Sequence, residues 1–290
     1  MSEANADQAD FWTNAAGQKW VEQQVELDAF MQPVLDGVLQ RAALKPGDHV
    51  LDIGCGTGAS TLQAAQIITE TGAATGVDIS STMLDLAQRR AAGLSNVGFH
   101  LADATDHTFE HAQFDHLISR FGVMFFADPV LAFSNTIKAL KPGARITFAA
   151  WGQIENNPWF TTAARAARDR LGAPPKVDPD APGPFAFRDV AHVTEILAAA
   201  GYEQIHADVC NLRLAPTGTP SEVADMATSV GPAARTVEHF QGNSEDSLAI
   251  AEAVRAAFAP FETPDGVRVP AEINFFQARN ADHGQTVGSP

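Results

Sequence analysis

A layered α/β fold, in which a mostly parallel sheet carries helices on both faces, is what this sequence predicts, and three observations predict it. The first is DHVLDIGCGTGAS at residues 48–60. Val50, Leu51 and Ile53 form a short apolar run of strand type that breaks into glycines at alternate positions, Gly54, Gly56 and Gly58. An apolar helical pattern (Leu62, Ala65, Ile68) follows at once. Strand, glycine turn and helix make the first half of a nucleotide-binding βαβ unit. The second observation is that strand-like and helix-like runs go on alternating, with further strands expected at 74–78, near 97–101, from Phe114 and into Trp151. The third is the lack of any internal repeat in 290 residues, which leaves one large domain with ample core as the economical arrangement.

The chemistry of the turn narrows the ligand. A dinucleotide fingerprint spaces its glycines G-x-G-x-x-G to seat a pyrophosphate on a helix N-terminus. Here the spacing is G-x-G-x-G, with Asp52 in the strand end just ahead of it. An acid there repels a pyrophosphate and suits a cation, so the implied ligand is nucleoside-like but positively charged. Asp78 ends the second strand 20 residues beyond Gly58, close to the spacing at which a carboxylate accepts from both ribose hydroxyls. Ser80 is the better candidate to cap the helix that follows.

The string VLDIGCGTG resembles the first motif of class I S-adenosylmethionine (SAM) methyltransferases, and SRFGVMFF at 119–126 resembles strings in one small-molecule, quinone-biosynthesis-like subgroup of them. The resemblance implies a Rossmann-like, doubly wound seven-stranded sheet of order 3-2-1-4-5-7-6, its last strand antiparallel, with helical lid inserts. It implies that Gly54 and Gly56 pass under the methionyl part and that Asp52 helps place the ammonium. Asp78 and its neighbour Ile79 would hold the ribose, and Asp103-Ala104 would read the edge of the adenine; Met83, at the start of the next helix, packs either against the adenine or in the core. Ser119 and Phe121, at the end of the fourth strand, would face the methionyl end. Trp12 and Trp20, in FWTNAAGQKW, would form a flap over the cofactor, giving an aromatic face near the sulfonium. Arg120, Phe125, Phe160 and His239 are the candidates for the acceptor side. Phe126, Phe185, Phe187 and Phe240 fall in segments that also suit an apolar small-molecule acceptor.

Bulk composition sets exclusions. Nineteen Lys and Arg against 35 Asp and Glu give a formal charge of −16, and no basic run relieves it, so a nucleic-acid partner is not expected. No Asp/Asn-Pro-Pro-aromatic motif follows the fourth strand, which argues against methylating exocyclic amines of nucleic acids or protein glutamine. Two cysteines, Cys55 and Cys210, far apart and without metal spacing, fit a reducing compartment. The polar, acidic N-terminus reads as neither signal nor transit peptide, and no apolar run approaches the ~18 residues that span a bilayer. A cytoplasmic protein with no metal is expected; the oligomeric state is open.

Along the chain, 1–41 is expected to be an N-terminal helical flap, with 1–10 disordered and Pro33 starting a new helix rather than lying inside one. Residues 42–151 form the SAM-binding core, its first helix ending at Gly72. Residues 152–280 supply a Pro-rich lid loop (152–187, with one helix from Trp159 to Leu171), the last core helix, a helical insert and the closing strands; 281–290 is a polar tail. The lid pieces are 1–41, 152–187 and 214–266. A catalytic base is not assigned: His206 and His239 read better as solvated. Two rivals stand beside a methyltransferase acting on a small, partly apolar acceptor. One is a non-catalytic SAM-binding partner subunit. The other is a nicotinamide oxidoreductase, disfavoured by the glycine spacing and by the lack of a Tyr-x-x-x-Lys pair, since residue 206, four beyond the only tyrosine, Tyr202, is histidine.

Overall fold

The structure is a computed structural model and describes residues 5–176, 178 and 180–281. Of the expected tail only Ala281 is among them, and residues 1–4 lie outside them. Helices α1 (Ala6–Thr13), α2 (Ala15–Glu22) and α3 (Gln24–Ala42) precede β1 (His49–Ile53). Then come α4 (Ala59–Ile68), β2 (Ala73–Asp78), α5 (Ser81–Arg90), β3 (Val97–Leu101), β4 (Phe114–Arg120), α6 (Pro129–Thr136) and β5 (Leu140–Trp151). The second half runs α7 (Pro158–Leu171), α8 (Val190–Ala199), β6 (Tyr202–Leu214), α9 (Pro220–Ser229), α10 (Pro232–His239), α11 (Ser244–Phe258), β7 (Glu262–Thr263), β8 (Gly266–Val267) and β9 (Val269–Asn280).

The main sheet has seven strands in the order β3-β2-β1-β4-β5-β9-β6, as the resemblance implied. Strands β3 to β5 pair in parallel, while β9 lies between β5 and β6 and runs against both. β1 is central, and Val50 to Ile53 are all buried, as a strand covered on both faces must be. Parallel order puts the C-terminal ends of β1 to β4 on one edge. The reversal of strand order beside β1 opens a crevice there, where ligands bind in such sheets.

One face is closed by aromatic packing: Phe133 of α6 lies 5.6 Å from Phe148 of β5, and Phe148 lies 4.9 Å from Phe276 of β9. The other is closed by α3, whose Val34, Leu35 and Val38 are fully buried. Gly37 permits that approach, because a Cβ there would stand 2.5 Å from the Phe275 ring. Pro33 lies inside α3, contrary to the expectation that it starts a helix. It leaves the Ala29 carbonyl without a helical donor, at a cost of about 3 kcal/mol. Leu27, Phe30, Met31, Val34, Leu35 and Val38, all buried, each contribute about 1.5–3 kcal/mol, so tertiary packing wins.

Three further expectations are corrected. α1 begins at Ala6 rather than after a disordered decapeptide, since its last turn docks on α5. α4 stops at Ile68, where the positive φ of Thr69 (61°) breaks the helix before Gly72. The insert 214–266 holds three helices and also a small β7–β8 hairpin that no local pattern announced.

Candidate functional site

The crevice beside β1 is a cavity lined by the glycine turn, by Asp78, Ile79 and Met83 from the end of β2 onward, by Ala102 to Ala104 after β3, and by Arg120 to Gly122 and Met124 to Phe126 from the end of β4 onward. Its far wall comes from α1–α3, from Trp151, Trp159 and Phe160, and from α10.

The turn is built by backbone constraint. Gly54 and Gly56 have φ of +68° and +54°, a region that residues with a Cβ rarely adopt. A Cβ on Gly54 would stand 2.5 Å from the Gly122 Cα, so the exits of β1 and β4 cross with nothing between them. Asp78 fastens the turn from below. Gly56 N–H donates to its Oδ2 at 2.7 Å, and Ser80 N–H donates to its Oδ1 at 2.9 Å. Burial raises the Asp78 pKa, and those backbone donors oppose the rise. Ser80 caps α5 as expected, accepting from Met83 N–H.

Asp52 does not line the cavity. It sits behind the turn, fully buried, where Ser60 and Thr61 in the first turn of α4 both donate hydroxyls to its Oδ2 at 2.6 Å. It thereby ties the end of β1 to a helix start that has no side-chain cap. Burial pushes its pKa up to about 6, against the two hydroxyls and the Arg120 charge, which lower it. Its Oδ1 has no hydrogen-bond partner. Ser119 is also off the cavity: its hydroxyl donates to the Ile53 carbonyl at 2.7 Å and accepts from Gly122 N–H, joining β4 to β1. The sheet alternation turns Ser119 inward and leaves the following residues at the crevice.

Arg120 does reach the cavity lining, though its side chain is only 8% exposed. One nitrogen lies 3.7 Å from Asp28 of α3, and Nη1 has no hydrogen-bond partner. Asp28 is also paired with Arg90 at 2.8 Å, and Arg90 donates to the Thr57 carbonyl, so charge holds α3 against the turn. Phe121 has φ of +66°, an outlier for a bulky side chain, and stacks flat on Trp151 with centroids 4.5 Å apart.

Trp12 and Trp20 are edge to face at 5.8 Å, and Trp12 meets Phe125 the same way at 5.0 Å. The helices carrying them are pinned to the start of α5. Ser80 Oγ donates to the Trp12 carbonyl at 2.7 Å and Thr82 Oγ1 to the Thr13 carbonyl at 2.6 Å. Both residues, with Phe125, Phe126 and Phe160, line the cavity. Phe185 packs on Phe160, whereas Phe187 is in the core beside Phe148. His239 and Phe240, at the end of α10, pack on each other at 4.8 Å and do not reach the cavity; their helix turns Arg235 and Glu238 to it instead. Lys19, Arg235, Glu238 and Asn5 are lining residues that local sequence patterns did not single out. The first three lie one helical turn from an apolar neighbour and read as ordinary solvated positions.

Asp103 is 2% exposed, and its oxygens accept from Asn5 Nδ2 at 2.9 and 3.0 Å and from Thr105 N–H at 2.9 Å. Among the described residues no cluster of His, Cys, Asp and Glu has metal-binding geometry, and no helix is long and apolar enough to cross a membrane.

Comparison with known proteins agrees with this architecture. Residues 44–172 match the family model described as a methyltransferase domain. Demethylmenaquinone methyltransferase of Staphylococcus aureus is 31% identical over 109 residues, which is 38% of this chain and 45% of that protein. The match thus spans about half the length of the curated relatives. Among solved structures, phosphoethanolamine N-methyltransferase 2 of Haemonchus contortus, in complex with phosphomonomethylethanolamine and S-adenosylhomocysteine, superposes with a TM-score of 0.53. It is 21% identical, and the match covers 86% of this chain and 52% of that one. The YcgJ protein of Bacillus subtilis superposes with a TM-score of 0.51 at 17% identity, covering 85% of this chain and 97% of that one. Such likeness speaks to the fold alone. Residues 44–172, which hold the glycine turn and the strands β1 to β5, are thus similar to a methyltransferase domain, and the sheet has the fold of the solved methyltransferase.

Proposed function

We propose that this protein binds SAM in the crevice beside β1 and transfers its methyl group to a small, partly apolar acceptor. The observation that carries the reading is the Gly54–Gly58 turn, buckled to the Asp78 carboxylate by Gly56 N–H, at the floor of an aromatic-walled cavity. The residues fit the ligand. Asp78 accepts from backbone N–H groups on both oxygens and keeps acceptor capacity for ribose hydroxyls. Gly54 and Gly122 let the exits of β1 and β4 meet backbone to backbone, and both line the cavity, so the chain of the ligand would lie on a floor without side chains there.

When bound, SAM supplies the methyl carbon for in-line attack by an acceptor lone pair, the C–S bonding pair leaving with sulfur. The work of the protein is then positioning, which is worth up to ~7–11 kcal/mol in favourable cases. Met83 and Ile79 would flank the base and ribose, and Trp12, Trp20, Phe125 and Phe160 would exclude water and hold an apolar acceptor. Residues 1–41 serve in this reading as a cover, together with 152–187 and 214–266. The charge of −16 supports a small molecule rather than a nucleic acid, and two unpaired cysteines support a reducing, cytoplasmic setting. Calorimetry tests the reading: SAM and S-adenosylhomocysteine are expected to bind and NAD(P)H is not. Binding of NADH without SAM would overturn it.

A further inference from the structure

Asn5 is a polar residue one position ahead of α1, and yet it is only 3% exposed. Its carboxamide bridges two loops on the sheet edge. Nδ2 donates to Asp103 Oδ1 at 2.9 Å, to Asp103 Oδ2 at 3.0 Å and to Thr105 Oγ1 at 3.0 Å, all after β3. Asn5 Oδ1 accepts from Ala127 N–H at 3.1 Å, after β4. The same residue lines the cavity beside Ala102, Asp103 and Ala104, at the end that also holds Asp78 and Ile79.

The chemistry of that contact is specific. A carboxamide NH2 is a planar, neutral, two-proton donor, and so is the exocyclic amine of an aminopurine. Asn5 places its NH2 across both oxygens of Asp103, on the edge where such an amine would donate. A carboxylate can hold several donors, but the face between its two oxygens holds one nitrogen at a time at 2.9–3.0 Å.

We propose that Asn5 is an intramolecular competitor for the base-reading edge of Asp103: a nucleoside bearing an exocyclic amine gains Asp103 only when the Asn5 carboxamide releases it. This rests on the SAM-binding reading above and adds to it a coupling between ligand binding and the seating of Asn5. Apparent affinity for the amine-bearing ligand is then reduced by the fraction of molecules in which Asn5 is seated. The Ala127 N–H, held by Asn5 in the seated state, becomes the reporter of release.

The test is calorimetry of S-adenosylhomocysteine and of S-inosylhomocysteine, which carries a carbonyl in place of the amine, on the full chain and on Asn5→Ala. Removing the competitor should tighten the adenosyl ligand about five- to tenfold and leave the inosyl ligand within about twofold. Hydrogen exchange at Ala127 should quicken when S-adenosylhomocysteine binds the unaltered chain. Asn5→Asp, which loses the donor and repels Asp103, should tighten the adenosyl ligand at least as much, and it serves as the second variant. Unchanged or weaker adenosyl binding in both variants, or equal gains for the two ligands, overturns the inference alone. Failure of the unaltered chain and both variants to bind S-adenosylhomocysteine overturns the SAM reading and this inference with it.

Discussion

The two ends of the cavity are built in different ways. The floor, from β1, β2, β3 and β4, is held through backbone groups: glycines at positive φ, N–H groups that donate to Asp78, and the Ile53 carbonyl that accepts from the Ser119 hydroxyl. The far wall is made of side chains, and its rings (Trp12 and Trp20 of α1 and α2, Phe125, Trp151, and Phe160 of α7) meet edge to face at 4.9–5.8 Å. A backbone-built floor tolerates almost no substitution, because its hydrogen bonds and φ angles have no substitute. A wall of rings touching at edges can exchange one apolar shape for another at modest cost. Under the proposed reading, the difference teaches that ligand identity would be set by the floor, and that the wall is where an acceptor preference could drift.

The harshest break in that contrast is Gly54→Ala. Positive φ at a residue with a Cβ costs about 1–3 kcal/mol, and the 2.5 Å approach to Gly122 Cα adds a backbone clash that no rotamer relieves. A loss of about 3 kcal/mol or more is expected, seen in thermal melts as a fall of at least about 6 °C, with SAM binding abolished. A stable Gly54→Ala protein that still binds SAM would show that the floor is not backbone-limited.

Next in size is the pH response of Asp52. Its pKa rises from an ordinary 3.8 to about 6 in the folded chain. The folded state therefore holds more protons than the unfolded state between roughly pH 4 and 6, and stability falls as pH rises through that window. The full swing is about 3 kcal/mol at ~1.4 kcal/mol per pKa unit. Asp52→Asn cannot ionise, so its stability relative to the parent should improve steadily from pH 4.5 to 7 in chemical denaturation. A difference independent of pH would mean that Asp52 is not a buried charge. Asp78, raised in the same direction, adds a contribution of the same sign that the variant keeps.

These two residues also show what was legible in the sequence. The glycine turn is a contiguous string whose geometry is local, and so it could be read without the fold. An acid beside it was equally visible, but its role depended on Ser60 and Thr61, a helical turn away, which bury it behind the turn. Pro33 obeys no local rule in α3, because the burial that overrides it comes from a sheet later in the chain. Asn5 had no local signal at all, since its partners are 98 and 122 residues distant. Legibility followed sequence distance: short-range geometry could be read, whereas roles set by remote burial could not.

Asp78→Ala comes third. It removes the proposed acceptor for the ribose hydroxyls, and charge-assisted bonds are worth about 1.5–3 kcal/mol each, so affinity for S-adenosylhomocysteine should fall at least about tenfold. It also releases Gly56 and Ser80 N–H, so a fall in melting temperature should accompany the loss. Calorimetry at a temperature where the variant is folded separates the two. Undiminished affinity there would remove Asp78 from the ribose.

The smallest effects belong to the wall, and a matched pair resolves them. Phe160 lines the cavity and touches Trp151 at 4.9 Å, so Phe160→Ala opens space on the acceptor side without touching the floor. Once an acceptor is known, its KM should rise several-fold while S-adenosylhomocysteine affinity stays within about twofold, because the lost contact is an apolar one with a single substrate. His239 sits on a different lid piece, at the end of α10, and packs on Phe240 rather than lining the cavity, so His239→Ala should change neither KM nor affinity, and stability by no more than about 0.5 kcal/mol. If His239→Ala instead lowered kcat, α10 would have to rotate in the working enzyme. The wall would then be a moving part of the site rather than a passive one.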